Sequence, residues 1–303
     1  MTSTMDRGIL LIGWMGQLGY ELERHLSVLG AVTAVDQDRI DLARPNEIRT
    51  MIRSVRPAWI VNAAAYTAVD AAESQPALAQ AINAVAPGVI GEEAKQIGAG
   101  VVHYSTDYVF DGAAGEPYPE TATPQPLNTY GRTKLEGEQR LAASGAPFLV
   151  FRTSWLYGTR GKNFLLTILR LAQERPELRI VGDQIGAPTW ARMVAAATAA
   201  ILAQPAVQSG PAQYSGLYHL TAAGQTSWAG FAQAILDQYP ASEYGRMHSG
   251  TPLHTRQIQA ITTSEYPTSA KRPAYSLLSN RKIQETFGIA LPDWQEQLRL
   301  ALG

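Results

Sequence analysis

Short apolar runs alternate with stretches of helical period through the first half of this 303-residue chain. The runs are "GILLIG", "AVTAVD", "AWIVNAAA" and "GVVHYS", and the helical stretches include "QLGYELERHLSVLG" and "APGVIGEEAKQIG". Because Val, Ile and Leu are nearly continuous in the runs, both faces of the strands are expected to be buried, as in a parallel sheet covered by helices. The pattern therefore predicts an α/β fold with a Rossmann-type doubly wound parallel sheet.

The alternation weakens from about residue 159, where proline and glycine interrupt the chain in "GDQIGAPTW", "AQPAVQSGPAQYSG" and "SEYPTSAKRPAYS". We expect a smaller α+β substrate domain there, interleaved with late sheet elements such as "GLYHLT". The predicted division assigns residues 1–158 with 190–222 to a dinucleotide-binding domain. Residues 159–189 with 223–303 then form the substrate domain.

Composition argues against several classes of function. The net charge of −1 provides no broad positive surface for a nucleic-acid backbone. Cysteine is absent and the five histidines form no ligand pattern, so neither disulfides nor a zinc site are expected. The polar start "MTSTMDRG" and the short apolar run after it predict neither a signal peptide nor a membrane span. We therefore expect a cytoplasmic protein that binds no nucleic acid and no membrane.

A glycine-rich loop, "GWMGQLG", directly follows the first apolar run and opens a helix. Gly13 is expected to permit the tight turn, Gly16 to let the backbone approach a pyrophosphate, and Gly19 to let the helix pack closely. Gln17 and Leu18 lie between these glycines and are predicted to bind the same dinucleotide. A glycine-rich loop without a ligand is the alternative, but strand, glycines and helix occur in the order that the fingerprint requires.

The second predicted strand ends at Asp36, where a carboxylate can accept hydrogen bonds from the ribose hydroxyls of adenosine. Its charge would repel a 2′-phosphate, and Arg39 is near enough in sequence to offset part of that repulsion. The expected preference for NADH over NADPH is therefore only mild. Asp41 and Leu42, in "RIDL", are predicted to border the adenine, with a plain turn as the alternative.

A run of small residues, "NAAAYTAVD", follows the third predicted strand. Ala64 and Ala65, with Thr67 after them, leave a flat backbone surface against which a cofactor can lie. Small residues also allow close helix packing, so the sequence leaves both interpretations open.

Tyr130 and Lys134 are four residues apart in "NTYGRTKLEGE", and four residues correspond to roughly 400° of helix at ~100° per residue. The two side chains therefore share a face, where the ammonium can stabilise the phenolate. Such a pair can supply the proton that accompanies hydride transfer to a carbonyl. On its own, however, this spacing more often marks a solvated helix face.

The fourth predicted strand, "VVHYSTDYVFDG", ends in Thr106 and Asp107, at the edge where open α/β sheets bind their ligands. The Thr106 hydroxyl can hydrogen-bond a substrate oxygen. A capped strand end would explain either residue alone, but it does not explain the glycine loop, the strand end and the Tyr–Lys pair occurring in this order.

With these motifs in sequence order, the chain resembles the extended short-chain dehydrogenase/reductase family over nearly its whole length. The resemblance rests on "GQLG", "NAAAYTAVDAAE", "YSTDYVFDG", "NTYGRTKLEGE", "RTSWLYG", "DQIGAPTW" and "RPAYSLL". Within the family it is similar above all to members that reduce the C4 ketone of dTDP-4-dehydro-L-rhamnose to dTDP-L-rhamnose. The resemblance thus implies a dTDP-sugar substrate and NADPH or NADH as the cofactor.

The resemblance also implies a role for each matching residue. Tyr130 would protonate the developing alkoxide, Lys134 would lower the pKa of Tyr130 and contact the nicotinamide ribose, and Thr106 would polarise the ketone. The positions that would hold the substrate are Thr106, Asp107, Tyr108, Tyr130 and Trp155 at the sugar and Arg272 at the diphosphate. Trp155 has the alternative role of a buried core residue that contacts no substrate, and Arg272 that of an ordinary surface arginine.

Two other functions remain open at the level of sequence. A regulatory protein can keep this fold and cofactor pocket without turnover, as the regulatory subunit of methionine adenosyltransferase does, but the intact Thr106, Tyr130 and Lys134 argue against it. A sugar-nucleotide epimerase or dehydratase would retain its cofactor tightly and would need a further acid or base.

The resemblance implies that some members of the family form magnesium-bridged dimers, in which glutamates from three segments hold the ion. Here Glu21 retains the first position, Arg192 follows "GAPTWA" at the second, and the last helix has no acid after Glu296. A guanidinium has no lone pair for a cation, so we expect no metal site. The predicted state is a monomer or a metal-independent homodimer.

Overall fold

The computed structural model describes residues 8–247 and 252–303. Its strands are β1 (Ile9–Ile12), β2 (Val32–Val35), β3 (Trp59–Asn62), β4 (Gly100–Thr106), β5 (Phe148–Thr153), β6 (Leu156–Tyr157), β7 (Glu177–Val181), β8 (Ile185–Gly186), β9 (Thr189–Trp190), β10 (Gly216–His219), β11 (Thr226–Ser227) and β12 (Gln257–Ile261). Its α-helices are α1 (Gln17–Leu26), α2 (Pro45–Val55), α3 (Val69–Ser74), α4 (Pro76–Gln80), α5 (Ala86–Ile97), α6 (Thr129–Ala143), α7 (Phe164–Glu174), α8 (Ala191–Leu202), α9 (Pro205–Ser209), α10 (Trp228–Gln238), α11 (Glu243–Met247), α12 (Arg281–Phe287) and α13 (Trp294–Leu302).

Six strands form one parallel sheet in the order β10-β5-β4-β3-β1-β2. The strand order reverses between β1 and β3, the kind of point at which open α/β sheets bind ligands. Ile12 is in register with Asn62, and Thr106 is in register with Thr153, so the carboxyl ends of these strands meet at one edge. The predicted doubly wound parallel sheet is confirmed.

The two faces of the sheet are covered by different helices. One apolar cluster joins β1, β3, β4 and β5 to α1 and α8, and a second joins the same sheet to α2 and α5. β1, "ILLI", and β3, "WIVN", are buried along their whole length, because side chains on both faces of each strand meet helices. This packing explains why the strands read as continuous apolar runs.

A third apolar cluster lies outside the main sheet and is built from α7, α10 and α13 with several short strands. β12 pairs with β7 in parallel, β11 pairs with β8 antiparallel, and β6 pairs with β9 in parallel. The elements of this region come from residues 156–190 and 226–302, with β10 returning to the main sheet between them. The exact division into two domains remains a prediction.

Candidate active site

The glycine-rich loop makes a tight turn between β1 and α1. Gly13 has φ +88°, and a Cβ added to it would lie 2.7 Å from the backbone nitrogen of Ala64, so the loop runs directly against the chain that follows β3. A Cβ on Gly19 would lie 2.0 Å from the Gly13 carbonyl oxygen, which explains the close packing of α1. At Gly16 the nearest such atom is 3.4 Å away, so the backbone there is open to the cleft.

Asp36 stands at the end of β2 and binds the glycine-rich loop. One carboxylate oxygen accepts a hydrogen bond from the Met15 backbone N–H at 2.9 Å, and the other accepts one from Gln37 N–H at 2.8 Å. The same carboxylate faces the cleft, where a ribose would extend from a pyrophosphate at the start of α1. Asp36 thus shapes the loop and lines the cavity, and its contact with a ribose stays a prediction.

A cavity of about 620 Å³ opens at the carboxyl edge of the sheet. Its lining includes most of the side chains that the sequence singled out: Gly13, Gly16, Gln17, Leu18, Asp36, Ala64, Ala65, Thr67, Thr106, Asp107, Tyr130, Lys134 and Trp155. Segments from both halves of the chain therefore surround one space, although they are separated by up to roughly 140 positions in sequence.

Five other predicted residues are not part of this lining. Gly19 packs against the loop, Leu42 is buried with the core beside α2, and Asp41 accepts a hydrogen bond from the Ala43 N–H at 2.8 Å. Asp41 and Leu42 thus occupy a structured turn, and their contact with an adenine remains a prediction. Tyr108 and Arg272 lie beyond Tyr130, toward a second cavity.

The Tyr–Lys pair lies in the first turns of α6, whose start is fixed by side-chain hydrogen bonds. The N-cap residue Asn128 accepts a hydrogen bond from Gly131 N–H at 2.8 Å and donates one to the Lys271 carbonyl. A Cβ on Gly131 would lie 2.1 Å from the Tyr108 carbonyl oxygen, so the helix begins in direct contact with the chain that leaves β4. This contact brings Tyr130 next to Thr106.

Lys134 is almost completely buried, with 1% of its surface exposed. Its Nζ donates a 2.6 Å hydrogen bond to the Tyr104 carbonyl and lies 3.2 Å from His103 Nε2. Burial lowers the pKa of Lys134 to about 8, and the nearby Glu138 carboxylate opposes that shift. The ammonium has three donors, so the contacts with Tyr104 and His103 leave one N–H for the cavity.

Tyr130 has a pKa raised to about 12, because burial disfavours the phenolate. A hydrogen bond with the Thr106 side chain lowers this pKa, and the negative charge of Asp107 raises it. Desolvation of the phenol dominates this pKa, and the Lys134 ammonium is held by the Tyr104 carbonyl and His103. The expectation that Lys134 lowers the pKa of Tyr130 stays a prediction.

Asp107 is a buried carboxyl beside the proposed proton donor. Its Oδ1 accepts a hydrogen bond from Thr106 Oγ1 at 3.0 Å, and burial raises the pKa of Asp107 to about 6. Hydrogen bonds from Ser276 and Thr106 oppose the shift. The carboxylate is therefore charged at neutral pH and can accept a hydrogen bond from a substrate hydroxyl.

A second cavity, of about 650 Å³, lies in the region of the third apolar cluster. Its lining includes Arg175, Arg179, Arg272, Gln184, Trp228 and Tyr266. Arg272 Nη2 is 2.7 Å from Asp70 Oδ2 and also hydrogen-bonds the Tyr108 hydroxyl. Tyr108 in turn packs edge-on against the Tyr130 ring, with centroids 5.8 Å apart. These contacts connect the two cavities.

Several residues at the first cavity were not predicted from the sequence. Ser105, Thr153 and Ser154 follow or end β4 and β5, and Gly161 and Lys162 come from the loop before α7. The polar "RTS" that closes β5 carries the same signal as "STD" at the end of β4, so strand-end reasoning could have found Thr153 and Ser154. No local sequence pattern indicated that the loop at Gly161 and Lys162 would lie beside the first cavity.

The first cavity has polar groups suited to a dinucleotide. Ser105 Oγ, Thr153 Oγ1 and Gln17 Oε1 are buried and have no hydrogen-bond partner among the described residues. All three residues line the cavity, together with the open backbone at Gly16 and the start of α1. Buried polar atoms need partners, and the amide, ribose and phosphate groups of a nicotinamide dinucleotide would supply them. The residues present therefore fit such a cofactor.

The residues at the family's magnesium position do not fit a metal ion. Arg192 Nε is 3.0 Å from Glu21 Oε2, so an arginine of the same chain pairs with the one retained carboxylate. The part of the chain that the structure describes contains no group of three or more His, Cys, Asp or Glu that could hold a metal. In the same residues no helix is long and apolar enough to cross a membrane.

Comparison with known proteins places these features in a family. Residues 7–303 match the family described as the RmlD substrate binding domain. A dTDP-4-dehydrorhamnose reductase of Burkholderia thailandensis is 49% identical over 295 residues, which cover 97% of each chain. The solved structure of a dTDP-4-dehydrorhamnose reductase from Clostridium acetobutylicum is 35% identical, with a TM-score of 0.85 and 97% of each chain covered. The Bacillus anthracis reductase, solved in complex with NADP, is 31% identical with the same TM-score and coverage.

Proposed function

The chain belongs to the RmlD substrate binding domain family, and we propose that it reduces the C4 ketone of dTDP-4-dehydro-L-rhamnose to give dTDP-L-rhamnose, using NADPH or NADH. Relatives named dTDP-4-dehydrorhamnose reductase align with 95% and 97% of the chain, so the proposal concerns nearly the whole chain and not one domain of it. The NADP-bound relative supports the assignment of the cofactor.

One observation carries the proposal. The glycine-rich loop and the Tyr130–Lys134 pair face the same cavity at the reversal point of the sheet. Hydride transfer to a ketone requires this arrangement, because the carbonyl carbon receives a hydride from the cofactor while the carbonyl oxygen receives a proton from the acid.

The protein supplies the proton and the polar contacts. Bound NADPH or NADH supplies the hydride that reduces the ketone carbon. Tyr130 is protonated at neutral pH and donates its hydroxyl proton to the ketone oxygen, which becomes the C4 hydroxyl. With substrate bound, the Thr106 hydroxyl turns its single proton from Asp107 Oδ1 to that oxygen as charge develops on it, and the Lys134 ammonium favours the phenolate left on Tyr130. Lys134 also holds the ribose next to the nicotinamide through its remaining N–H.

The second cavity suits the nucleotide part of the substrate. Arg175, Arg179 and Arg272 bring positive charge to its lining, which a diphosphate would pair with. Glu177 and Glu265 also line it, and Arg179 pairs with Glu265 at 2.9 Å, so the diphosphate would share that arginine with a carboxylate. The Tyr266 ring offers a surface for a thymine to pack on. Asp107, Tyr108 and Trp155 then face the sugar between the diphosphate and the ketone. Their assignment is part of the proposal.

The two rival functions make different demands on the same site. A regulatory protein of this fold would have no need for a protonated Tyr130 beside a buried lysine. An epimerase or dehydratase would return the hydride to its substrate and would retain its dinucleotide through purification. We therefore expect the protein to be purified largely free of cofactor.

We also propose a cytoplasmic location and a monomer or metal-independent homodimer.

A direct assay tests the proposed reaction. The loss of NADPH or NADH absorbance is followed after dTDP-4-dehydro-L-rhamnose is added, and the product is identified as dTDP-L-rhamnose by chromatography. Other 4-keto sugar nucleotides serve as the comparison substrates. We expect the highest kcat/KM for the rhamnose precursor, and the absence of cofactor oxidation with it would reject the proposal.

A further inference from the structure

Trp155 has a backbone conformation that few non-glycine residues adopt. It lies between β5 and β6 with φ +46°, in the left-handed region. A bulky side chain in this region is strained, and it stays there only when its surroundings hold it. Trp155 lines the first cavity, so its surroundings determine part of the wall of the candidate active site.

Trp228 provides the main contact that holds Trp155. The two indole rings stack with centroids 3.5 Å apart and an angle of 6° between their planes. Trp228 is the first residue of α10, which Ser227 caps by accepting a hydrogen bond from Gly230 N–H. The two tryptophans are 73 positions apart in the sequence, so no local pattern predicts their contact.

Trp228 is itself held in place on two sides. Its Nε1 donates a hydrogen bond to Gln184 Oε1 at 3.2 Å, and the Gln184 amide nitrogen donates one to Thr263 Oγ1 at 3.1 Å. The Phe164 ring packs against the indole with a centroid separation of 4.6 Å. These contacts make the stacking partner of Trp155 a rigid support.

The Trp155 ring also lies against Gly186 in β8. A Cβ added to Gly186 would be 2.6 Å from Trp155 Cε2, which is too close for any real side chain. The backbone of Gly186 is not in a left-handed conformation, so the Trp155 ring is what would oppose an alanine there. The indole is thus enclosed by Gly186 and Trp228.

The stacked pair contributes one ring to the lining of each cavity. Trp155 faces the first cavity, with Thr106 and Tyr130, whereas Trp228 and Gln184 face the second. A sugar nucleotide that reaches Tyr130 with its sugar and the arginines with its diphosphate passes along this wall. We propose that Trp228 is a positioning residue for sugar-nucleotide binding, which acts by stacking on Trp155 and holding the wall against which the sugar ring lies.

This inference rests on the proposed function and is tested by kinetics on the full chain. Trp228→Leu removes the stacked ring, and Trp228→Phe keeps an aromatic ring at the same place. We expect Trp228→Leu to raise the KM for dTDP-4-dehydro-L-rhamnose about tenfold, with the dissociation constant of the nicotinamide cofactor unchanged. Trp228→Phe is expected to restore the KM to within about threefold of the wild-type value.

Two further variants separate positioning from a general loss of stability. Gly186→Ala displaces Trp155 from the other side and leaves Trp228 intact, so it should raise the same KM. Ile235→Val removes a buried methylene of α10 that lines neither cavity, so it should lower the melting temperature and leave KM unchanged.

The outcomes separate this inference from the proposed function. A wild-type protein that does not oxidise the cofactor with this substrate removes the proposed function and this inference with it. Wild-type turnover with an unchanged KM in Trp228→Leu overturns the inference alone. An equal KM increase in Ile235→Val also overturns it, because the effect would then follow from destabilisation.

Discussion

Tyr130 and Lys134 have pKa values that desolvation has moved in opposite directions. Burial raises the pKa of the phenol to about 12 and lowers that of the ammonium to about 8. The phenol therefore keeps its proton at neutral pH, as a proton donor in a reduction must. His103, in β4, contacts the lysine: its ring nitrogen Nε2 is 3.2 Å from Lys134 Nζ. Burial holds the pKa of His103 well below its usual range.

Replacement of Tyr130 by phenylalanine tests the proton donor. Tyr130→Phe removes the hydroxyl and leaves the glycine-rich loop intact. We expect kcat to fall roughly a hundred- to ten-thousand-fold, with cofactor affinity nearly unchanged, because acid catalysis contributes a factor of that size. Steady-state kinetics and cofactor titration measure the two quantities, and a kcat close to wild type would remove Tyr130 from this role.

The pH dependence of kcat/KM should reflect Lys134 and Asp107. Lys134 loses its charge as the pH rises through about 8, so kcat/KM should fall on that side. Asp107 gains a proton as the pH falls through about 6 and then no longer offers a charged acceptor, so kcat/KM should also fall on the acid side.

The variant Asp107→Asn assigns the acid side of this profile. It cannot titrate, so its kcat/KM should be lower overall and should lack the fall near pH 6, whereas the fall near pH 8 should persist. The same acid-side fall in Asp107→Asn and in wild type would show that another group titrates there.

Cofactor preference depends on the charge at Asp36. The carboxylate lies at the ribose end of the cavity and opposes a 2′-phosphate, while exposed Arg39 is close by in the chain. We expect both NADH and NADPH to be used, with a preference below about a hundredfold, or roughly 2.7 kcal/mol. Asp36→Asn keeps a hydrogen-bond acceptor for the loop and removes the charge, so it should shift kcat/KM toward NADPH. A preference above a hundredfold would mean that another contact dominates.

Two glycines bring helix α6, which carries Tyr130 and Lys134, very close to the backbone of neighbouring segments. Gly131 touches the Tyr108 carbonyl, and Gly137 touches the Asn83 carbonyl, where an added Cβ would lie 2.0 Å away. Lower on the same face, Glu138 forms a buried ion pair with Arg152 of β5, at 2.6 Å. The helix is therefore held at a short distance from β4 and β5, and Tyr130 reaches Thr106 for that reason.

Gly131→Ala tests whether this distance matters for turnover. The added Cβ would lie 2.1 Å from the Tyr108 carbonyl oxygen, so the first turn of α6 has to shift. We expect a loss of about 1–3 kcal/mol in the free energy of unfolding and a kcat reduced roughly ten- to a hundredfold. Gly115→Ala is the matched control, since nothing lies within 4 Å of a Cβ there. Equal effects of the two substitutions on kcat would contradict the placement argument.

At the scale of the whole molecule, a few side chains join the cavity at the edge of the sheet to the cavity in the C-terminal region. The Asp70–Arg272 ion pair at 2.7 Å and the stack of Trp155 on Trp228 link segments that are far apart in sequence. Arg192 and Glu21 form a third such link, between α8 and α1. The Arg192–Glu21 ion pair concerns the formation of a dimer.

We expect this protein to need no metal ion for turnover or assembly. Arg192 pairs with Glu21 and would repel a divalent cation from the only retained carboxylate of the family's magnesium position. Turnover should therefore be unchanged by EDTA, and sedimentation should be the same with EDTA and with millimolar magnesium. A loss of activity in EDTA that magnesium restores, or a dimer that forms only with magnesium, would contradict this expectation.

The sequence by itself determined the parallel sheet, the glycine-rich loop and the shared face of Tyr130 and Lys134. These features follow from local periodicity and from the backbone freedom of glycine, which nearby residues decide. The tertiary structure alone decided that His103 and the Tyr104 carbonyl hold Lys134, that the pKa of Tyr130 is raised, and that Trp228 stacks on Trp155. Burial and contacts between distant segments set these properties, and neither exists until the chain has folded.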